Sequence, residues 1–218
     1  MNYSANDYDA VIVGGGPAGT SAAIHLAKRG ARVLLAEQKK FPRAKLCGEF
    51  ISPECLGHFE RLGVAEQMTR AGGARLTETL FYSRSGRSVN VPSAWFGGET
   101  GAGALGLSRA EMDARLMARA REAGATVLEE AQAVGLLLEQ GRVRGVRLKM
   151  NGEPLEVSSS IAIDATGRSR ALVRRVERET KASQGTRVRH SPLVAFKAHL
   201  EDACGAPDHC EIYFYRGG

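Results

Sequence analysis

No stretch of this sequence approaches the roughly 18 uninterrupted apolar residues of a membrane-crossing helix. The apolar segment from Asp9 to Ala36 is broken by Lys28 and Arg29 and lacks a basic stretch ahead of it, which argues against a signal peptide. Aromatic residues are few, 6% with a single Trp, and none are interleaved with the basic cluster, so no nucleic-acid partner is expected. The four cysteines, Cys47, Cys55, Cys204 and Cys210, match neither a zinc-site spacing nor a disulfide framework. Cys204 and Cys210 with His209 amount at most to a fragment of a metal site, and no metal is expected. Reduced thiols in a cytoplasmic protein are the default. Internal repeats, low-complexity tracts and any Ser/His/Asp grouping are also missing.

What remains is an ordinary globular composition. The 218 residues are 43% hydrophobic and 25% charged, enough for one domain, or a larger one with a small attachment. The net charge of +6 owes much to arginine. Arg168, Arg170, Arg174, Arg175 and Arg178 cluster, followed by Lys181, Arg187 and Arg189. Such a run reads as a solvated helix face, or more sharply as a surface for phosphate-bearing ligands or an anionic membrane.

Ala10 to Val13 form a continuous apolar run of the kind found in buried parallel strands. Pro17 to Arg29 has the small-residue packing face of a helix ended by Gly30, and the segment Ala31 to Glu37 is a second buried strand. Strand, helix and strand fit in about 30 residues, the size of one βαβ unit. Lys39 to Pro53 reads as an ordered loop, Pro53 to Met68 as a helix, Leu76 to Val91 as a hairpin turning at Ser85-Gly86, and Ser93 to Gly106 as a loop. Ser108 with Glu111 forms a capping box, opening a helix that runs to Glu122 and stops at Gly124. Short strands follow at Ala125–Glu129, Ala133–Glu139, Arg142–Met150 and Glu153–Val157, with turns at Gln140-Gly141 and Asn151-Gly152. Ser160–Ala165 is another buried strand closed by Gly167, and Leu193–Leu200 and Glu211–Tyr215 are expected strands of a different sheet.

Gly14-x-Gly16-x-x-Gly19 lies between the first strand and the first helix. Gly14 permits the tight turn, Gly16 lets backbone approach a pyrophosphate, and Gly19 lets helix and strand sit close. The helix start, with Pro17 and Ala18, offers free N–H groups and a positive dipole end to phosphates. Glu37 closes the second strand about 20 residues further on, where a carboxylate can accept both ribose hydroxyls and would repel a 2′-phosphate. Gln38 follows it. These features alone suit FAD and NAD equally.

The segment from Val11 to Gln38 resembles the N-terminus of two-domain flavoproteins, and Phe41 to Leu56 resembles the loop that follows it in the geranylgeranyl reductase-like group. Related loops occur in flavin-dependent halogenases and aromatic hydroxylases. The stretches from Ser108 to Val127 and from Ile161 to Arg170 complete a resemblance spanning residues 8–170. It implies an α/β, Rossmann-like FAD/NAD(P)-binding fold with a parallel sheet and a β-meander, plus part of a second, mixed-sheet substrate domain. It divides the chain into an FAD-binding part, 1–75 with 105–180, and a partial substrate-binding part, 76–104 with 181–218. It further implies FAD as cofactor, with Arg43 on the ribose or pyrophosphate and Arg109 on the flavin phosphate or ribityl chain. The segment Cys47-Gly48-Glu49 would face the flavin ring, Gly48 permitting close backbone approach, with Cys47 the candidate catalytic residue or else an inert buried thiol. Asp164 would orient its loop or bind ribose or pyrophosphate, with Gly167 as the turn. His25 and His58 read as structural.

Full-length relatives carry a third FAD-domain segment with a Gly-Asp motif that this sequence lacks, so a C-terminally truncated chain is expected. The implied activity is two-electron reduction of an apolar, isoprenoid-like substrate, with NAD(P)H as a candidate electron donor and peripheral membrane contact a candidate. A flavin monooxygenase or halogenase is the alternative enzyme. A non-catalytic nucleotide-binding fragment is the alternative of another class.

Overall fold

The computed structural model describes residues 8–97, 103–179, 194–202 and 208–216. Lys181, Arg187, Arg189, Leu193, Cys204, Gly217 and Gly218 lie outside the described residues, and the Cys204–His209–Cys210 grouping with them. Along the chain come β1 (Tyr8–Val13), α1 (Pro17–Ala27), β2 (Val33–Ala36), β3 (Phe50–Ile51), α2 (Pro53–Leu62), α3 (Ala65–Thr69), β4 (Ala74–Leu76), β5 (Glu78–Tyr82) and β6 (Ser88–Pro92). They are followed by β7 (Ala104–Gly106), α4 (Arg109–Glu122), β8 (Thr126–Leu128), β9 (Ala131–Glu139), β10 (Arg142–Met150), β11 (Glu153–Asp164), α5 (Ala171–Glu179) and β12 (His209–Tyr213). Contacts divide these into two units, one of residues up to 43 with those from 116 to 193, the other of residues 44–115 with those from 194 on. That boundary differs from the functional division drawn from the sequence, because β3 and β4 both pair with β7 and keep residues after Arg43 with the second unit.

The first unit is a six-stranded sheet in the order β8-β2-β1-β11-β10-β9. Its four strands β8, β2, β1 and β11 are parallel, and β9, β10 and β11 form an antiparallel meander. This is the α/β fold with parallel sheet and meander expected from the sequence. The apolar runs of β1 and β2 are buried because parallel strands are covered on both faces. Both meander turns follow from local chemistry. Gln140 and Gly141, like Asn151 and Gly152, adopt positive φ at consecutive positions, as a two-residue type I′ turn requires. Val11, Val13, Leu34, Leu136, Val146, Leu148 and Val157 pack into one core, with Leu172 of α5 against it.

Sequence reading divides β11 into two strands, but it is one strand of 12 residues. No Gly or Pro interrupts Ser158 to Ile163, so the chain runs on from the meander into the parallel sheet.

The second unit holds two three-stranded sheets, β12-β5-β6 and β3-β7-β4. The expected hairpin is β5 with β6. The expected Pro53–Met68 helix is two helices, because Gly63 takes a left-handed φ of 78° and ends α2. Ser93 to Gly106 is not a loop throughout: Ser93–Phe96 forms a 3₁₀ turn and β7 pairs with β3 and β4.

Residues 194–200 are not a strand. Val194, Phe196 and Leu200 are 77%, 92% and 79% exposed, so the apolar alternation has no face to cover; side chains rather than a backbone ladder hold this segment.

Leu148 is wholly buried in β10, whereas Leu138 on β9 is 46% exposed. Leu148→Ala is expected to destabilise the chain by about 2–5 kcal/mol and Leu138→Ala by about 0.5 kcal/mol or less, read from urea-denaturation midpoints.

Candidate functional site

The first unit places Gly14, Gly16, Pro17, Ala18, Gly19, Glu37, Gln38, Asp164 and Gly167 after or at the C-terminal ends of β1, β2 and β11. Gly14 turns the chain at φ 111°, its N–H donating to the Ala36 carbonyl at 2.8 Å. A Cβ on Gly14 would collide with the Ala165 carbonyl, and one on Gly19 with the Gly14 carbonyl. Gly16 is different. A Cβ there would meet only Arg43 Nη2, at 4.0 Å, so the space in front of it is open. Three glycines of one motif therefore do three jobs: turn, open approach and helix–strand contact.

Helix α1 begins with Gly16 at its N-cap and Pro17 next, with no side-chain cap and no acidic residue in its first turn. The hydroxyl of Thr20 donates back to the Gly16 carbonyl at 2.9 Å, leaving the helix-start N–H groups uncovered by it. Ala18 is exposed at this tip. By contrast α4 has Ser108 Oγ accepting from the Glu111 N–H at 3.1 Å. Helix α5 is capped more fully still, as described below. An uncapped start is what an anionic group needs.

Glu37 is 6% exposed and aimed at this loop: its Oε2 accepts from the Gly15 N–H at 2.8 Å and its Oε1 from the Lys39 N–H at 3.0 Å. Arg43 Nη2 lies 3.6 Å from Glu37 Oε2, with its guanidinium over the Phe41 ring. With Gly15 and Arg43 at Oε2 and Lys39 at Oε1, the carboxylate keeps acceptor capacity at Oε1 for a hydroxyl donor. Gly15 escaped the sequence reading because its fingerprint position is unspecified. It is the residue that fixes the acid, and Glu37 Cβ lies 3.1 Å from where a Gly15 Cβ would stand. Gln38, next along, is exposed.

Asp164 ends β11 with both oxygens fully used. Oδ1 accepts from the Thr166 N–H at 3.0 Å and its hydroxyl at 2.6 Å; Oδ2 accepts from the N–H groups of Leu172 and Val173, each at 3.0 Å. Thr166 Oγ1 takes the Ala171 N–H at 2.8 Å, so the first three donors of α5 are satisfied. With four acceptor positions filled, Asp164 orients its loop and has none left for a ribose hydroxyl. Burial alone would raise its carboxyl, but the bonds from Thr166, Val173 and Leu172 outweigh it and hold the group below the usual range. Gly167 then turns at φ 68° with open space where a Cβ would go.

In the second unit, Cys47 is half-buried and Gly48 exposed with nothing near its missing Cβ. Arg109 is bound through Nε and Nη2 to both oxygens of Asp113, at 3.0 and 2.9 Å. Its guanidinium is thus turned back along α4. The paired Asp113 raises the Arg109 pKa further, against the lowering effect of burial. Glu49, in the same segment as Cys47 but given no role of its own by the sequence reading, has a carboxylate that accepts the Arg109 N–H at 2.9 Å. Nothing local in the sequence marks it, because its partner is 60 positions away. His25 and His58 take no part in either grouping. Among the described residues no set of three or more His, Cys, Asp or Glu side chains is arranged to hold a metal.

Residues 7–217 match the family described as FAD binding domain. This chain belongs to that family. Its cofactor is FAD, and the open, uncapped start of α1 beside Glu37 fits the cofactor's phosphate and ribose groups. The domain is 34% identical over 161 residues to a digeranylgeranylglycerophospholipid reductase of Methanosarcina mazei, covering 73% of this chain and 38% of that protein. It therefore spans well under half the length of that relative. A myxobacterial FAD-dependent halogenase of chondrochloren synthesis, CndH, superposes with a TM-score of 0.71 at 28% identity, covering 78% of this chain and 39% of that one. A geranylgeranyl bacteriochlorophyll reductase-like protein of Thermoplasma acidophilum shares the fold, with a TM-score of 0.72 at 23% identity over 97% of this chain and 51% of that one.

Asp164→Ala is expected to cost this FAD binding domain about 1–2 kcal/mol at neutral pH, the usual loss of a helix cap. Because the folded-state pKa is depressed, the ionised group's contribution is complete above the unfolded value of about 3.9 and fades as pH falls through the folded one. The gap between wild-type and variant urea midpoints should therefore narrow below about pH 3.9.

Proposed function

We propose that the chain is the FAD-holding part of an oxidoreductase that reduces carbon–carbon double bonds of an apolar, isoprenoid-like substrate. The observation that carries the reading is the tip of α1: an uncapped helix start, an open Gly16, and a buried Glu37 carboxylate aimed at the same loop. In this reading Gly14, Gly16, Pro17, Ala18 and Gly19 receive the pyrophosphate. Glu37 accepts the ribose hydroxyls, Gln38 and Arg43 flank the same half of the cofactor, and the Asp164–Gly167 turn brings backbone towards it. Cys47, Gly48 and Arg109 are carried over from the family resemblance as the flavin-side residues. Bound FAD supplies two-electron transfer through its ring system, and the protein supplies binding, orientation and electrostatics. NAD(P)H is the proposed electron donor and the cytoplasm the proposed location; among the described residues no helix is long and apolar enough to cross a membrane. The reductase relative in Methanosarcina mazei supports the substrate class.

The halogenase CndH, at 28% identity, favours a second reading in which reduced flavin reacts with oxygen, as in a monooxygenase or halogenase. One experiment separates the readings. The purified chain is incubated with FAD and its visible spectrum recorded, and NADPH oxidation is then followed with geranylgeraniol, with and without oxygen. Retained flavin and saturation of the alcohol without oxygen uptake are expected. Substrate-dependent oxygen consumption would favour the second reading, and a colourless chain that takes up no FAD would overturn both. Glu37→Ala and Gly16→Leu should each weaken FAD binding by about tenfold or more, measured by quenching of flavin fluorescence.

A further inference from the structure

Within the second unit, Glu49 stands out for its backbone and for the number of groups it ties down. It has a φ of 58°, a left-handed conformation that a non-glycine residue adopts only when its surroundings impose it. Its N–H donates to Cys47 Sγ at 3.4 Å, and its carbonyl accepts from the Leu107 N–H at 3.1 Å. Its carboxylate Oε1 accepts from the Arg109 N–H at 2.9 Å and pairs with Lys197 Nζ at 2.5 Å, while Oε2 lies 3.6 Å from His199 Nε2. Burial would raise the carboxyl, but Lys197, the Arg109 amide and His199 together hold it low. One residue thereby fastens the Cys47–Gly48 loop, the start of α4 and the segment 194–200.

We propose that Glu49 is a positioning residue for Cys47: its amide holds the sulfur and its carboxylate ties the loop that carries the thiol to the start of α4, so that the thiol presents one constant direction. The proposal builds on the flavin-side role given to Cys47 above, but its geometry is independent of any bound cofactor. A glycine at this position tolerates the same φ while removing the carboxylate, so Glu49→Gly tests the carboxylate without adding backbone strain.

The test is site-resolved alkylation of the full chain by iodoacetamide, with Cys47 and Cys55 followed separately by peptide mass spectrometry. Cys55, in α2 of the same unit, serves as the internal control. Glu49→Gly and Glu49→Ala should each speed Cys47 alkylation about fivefold or more, as the thiol gains access, and leave Cys55 within about twofold. Glu49→Gln, which keeps an oxygen for the Arg109 amide, should fall between these and wild type, and guards against a variant that fails to fold. Cys47 rates within about twofold of wild type in all three variants would overturn the proposal, as would Cys47 and Cys55 accelerating together. Flavin content is read in the same samples. A chain that carries no FAD defeats the functional reading above, yet still reports on Glu49 through its Cys47 rate.

Discussion

The arrangement depends on backbone pressed against backbone where β1, α1 and β11 meet. Gly14, Gly19 and the Ala165 carbonyl occupy space that no side chain can share. The Ala165 N–H donates to the Val13 carbonyl at 2.8 Å and the Gly14 N–H to the Ala36 carbonyl at 2.8 Å, so the three strand ends are locked in step. Only with that contact made does the helix start stand clear of the sheet with its amides outward. Backbone N–H groups of Gly15 and Lys39 then point the Glu37 carboxylate along the same loop. The polar groups of the site are few because the close packing beneath them has already set their directions.

Two helix starts adjoin these strand ends, and their chemistry has been divided. Helix α5 has its first donors consumed by Asp164 and Thr166, whereas α1 has no side-chain cap among the described residues. Of these two helix starts, the one at α1 is left open and the one at α5 is filled. The same logic explains why Asp164 and Glu37, both acids at strand ends, have different uses. One has its acceptor capacity filled by its own loop, while the other keeps capacity at Oε1 beyond the bond from Lys39.

The first unit was largely legible in the sequence because its signals are local. Apolar runs gave β1 and β2, Asn151-Gly152 gave the meander turn, and the glycine spacing gave the tip of α1. What was not legible depends on contacts distant in sequence or on what a pattern meets in space. Gly15 occupies a position the motif leaves open, and its role appears only when Glu37, 22 residues on, is seen against it. Glu49 is defined by Arg109 and Lys197, neither of which is near it in the chain. The alternation at 194–200 resembles a strand, but alternation specifies a strand only where a sheet edge and a covering layer exist to receive it. The helix expected across Gly63 failed for the opposite reason: a local conformational preference overrode a sustained apolar period.

The length of β11 has a bearing on cooperativity. Its first half is registered against β10 from Glu153 to Ser158, and its second half against β1 from Ser159 to Asp164. A single uninterrupted strand thus joins the hairpin region to the parallel sheet. The two ladders are distinct but share one backbone, so the amides along β11 are expected to exchange with solvent as one protected block. Loss of order at the outer edge of the meander would then be felt, through one strand, at the turn from Asp164 to Gly167.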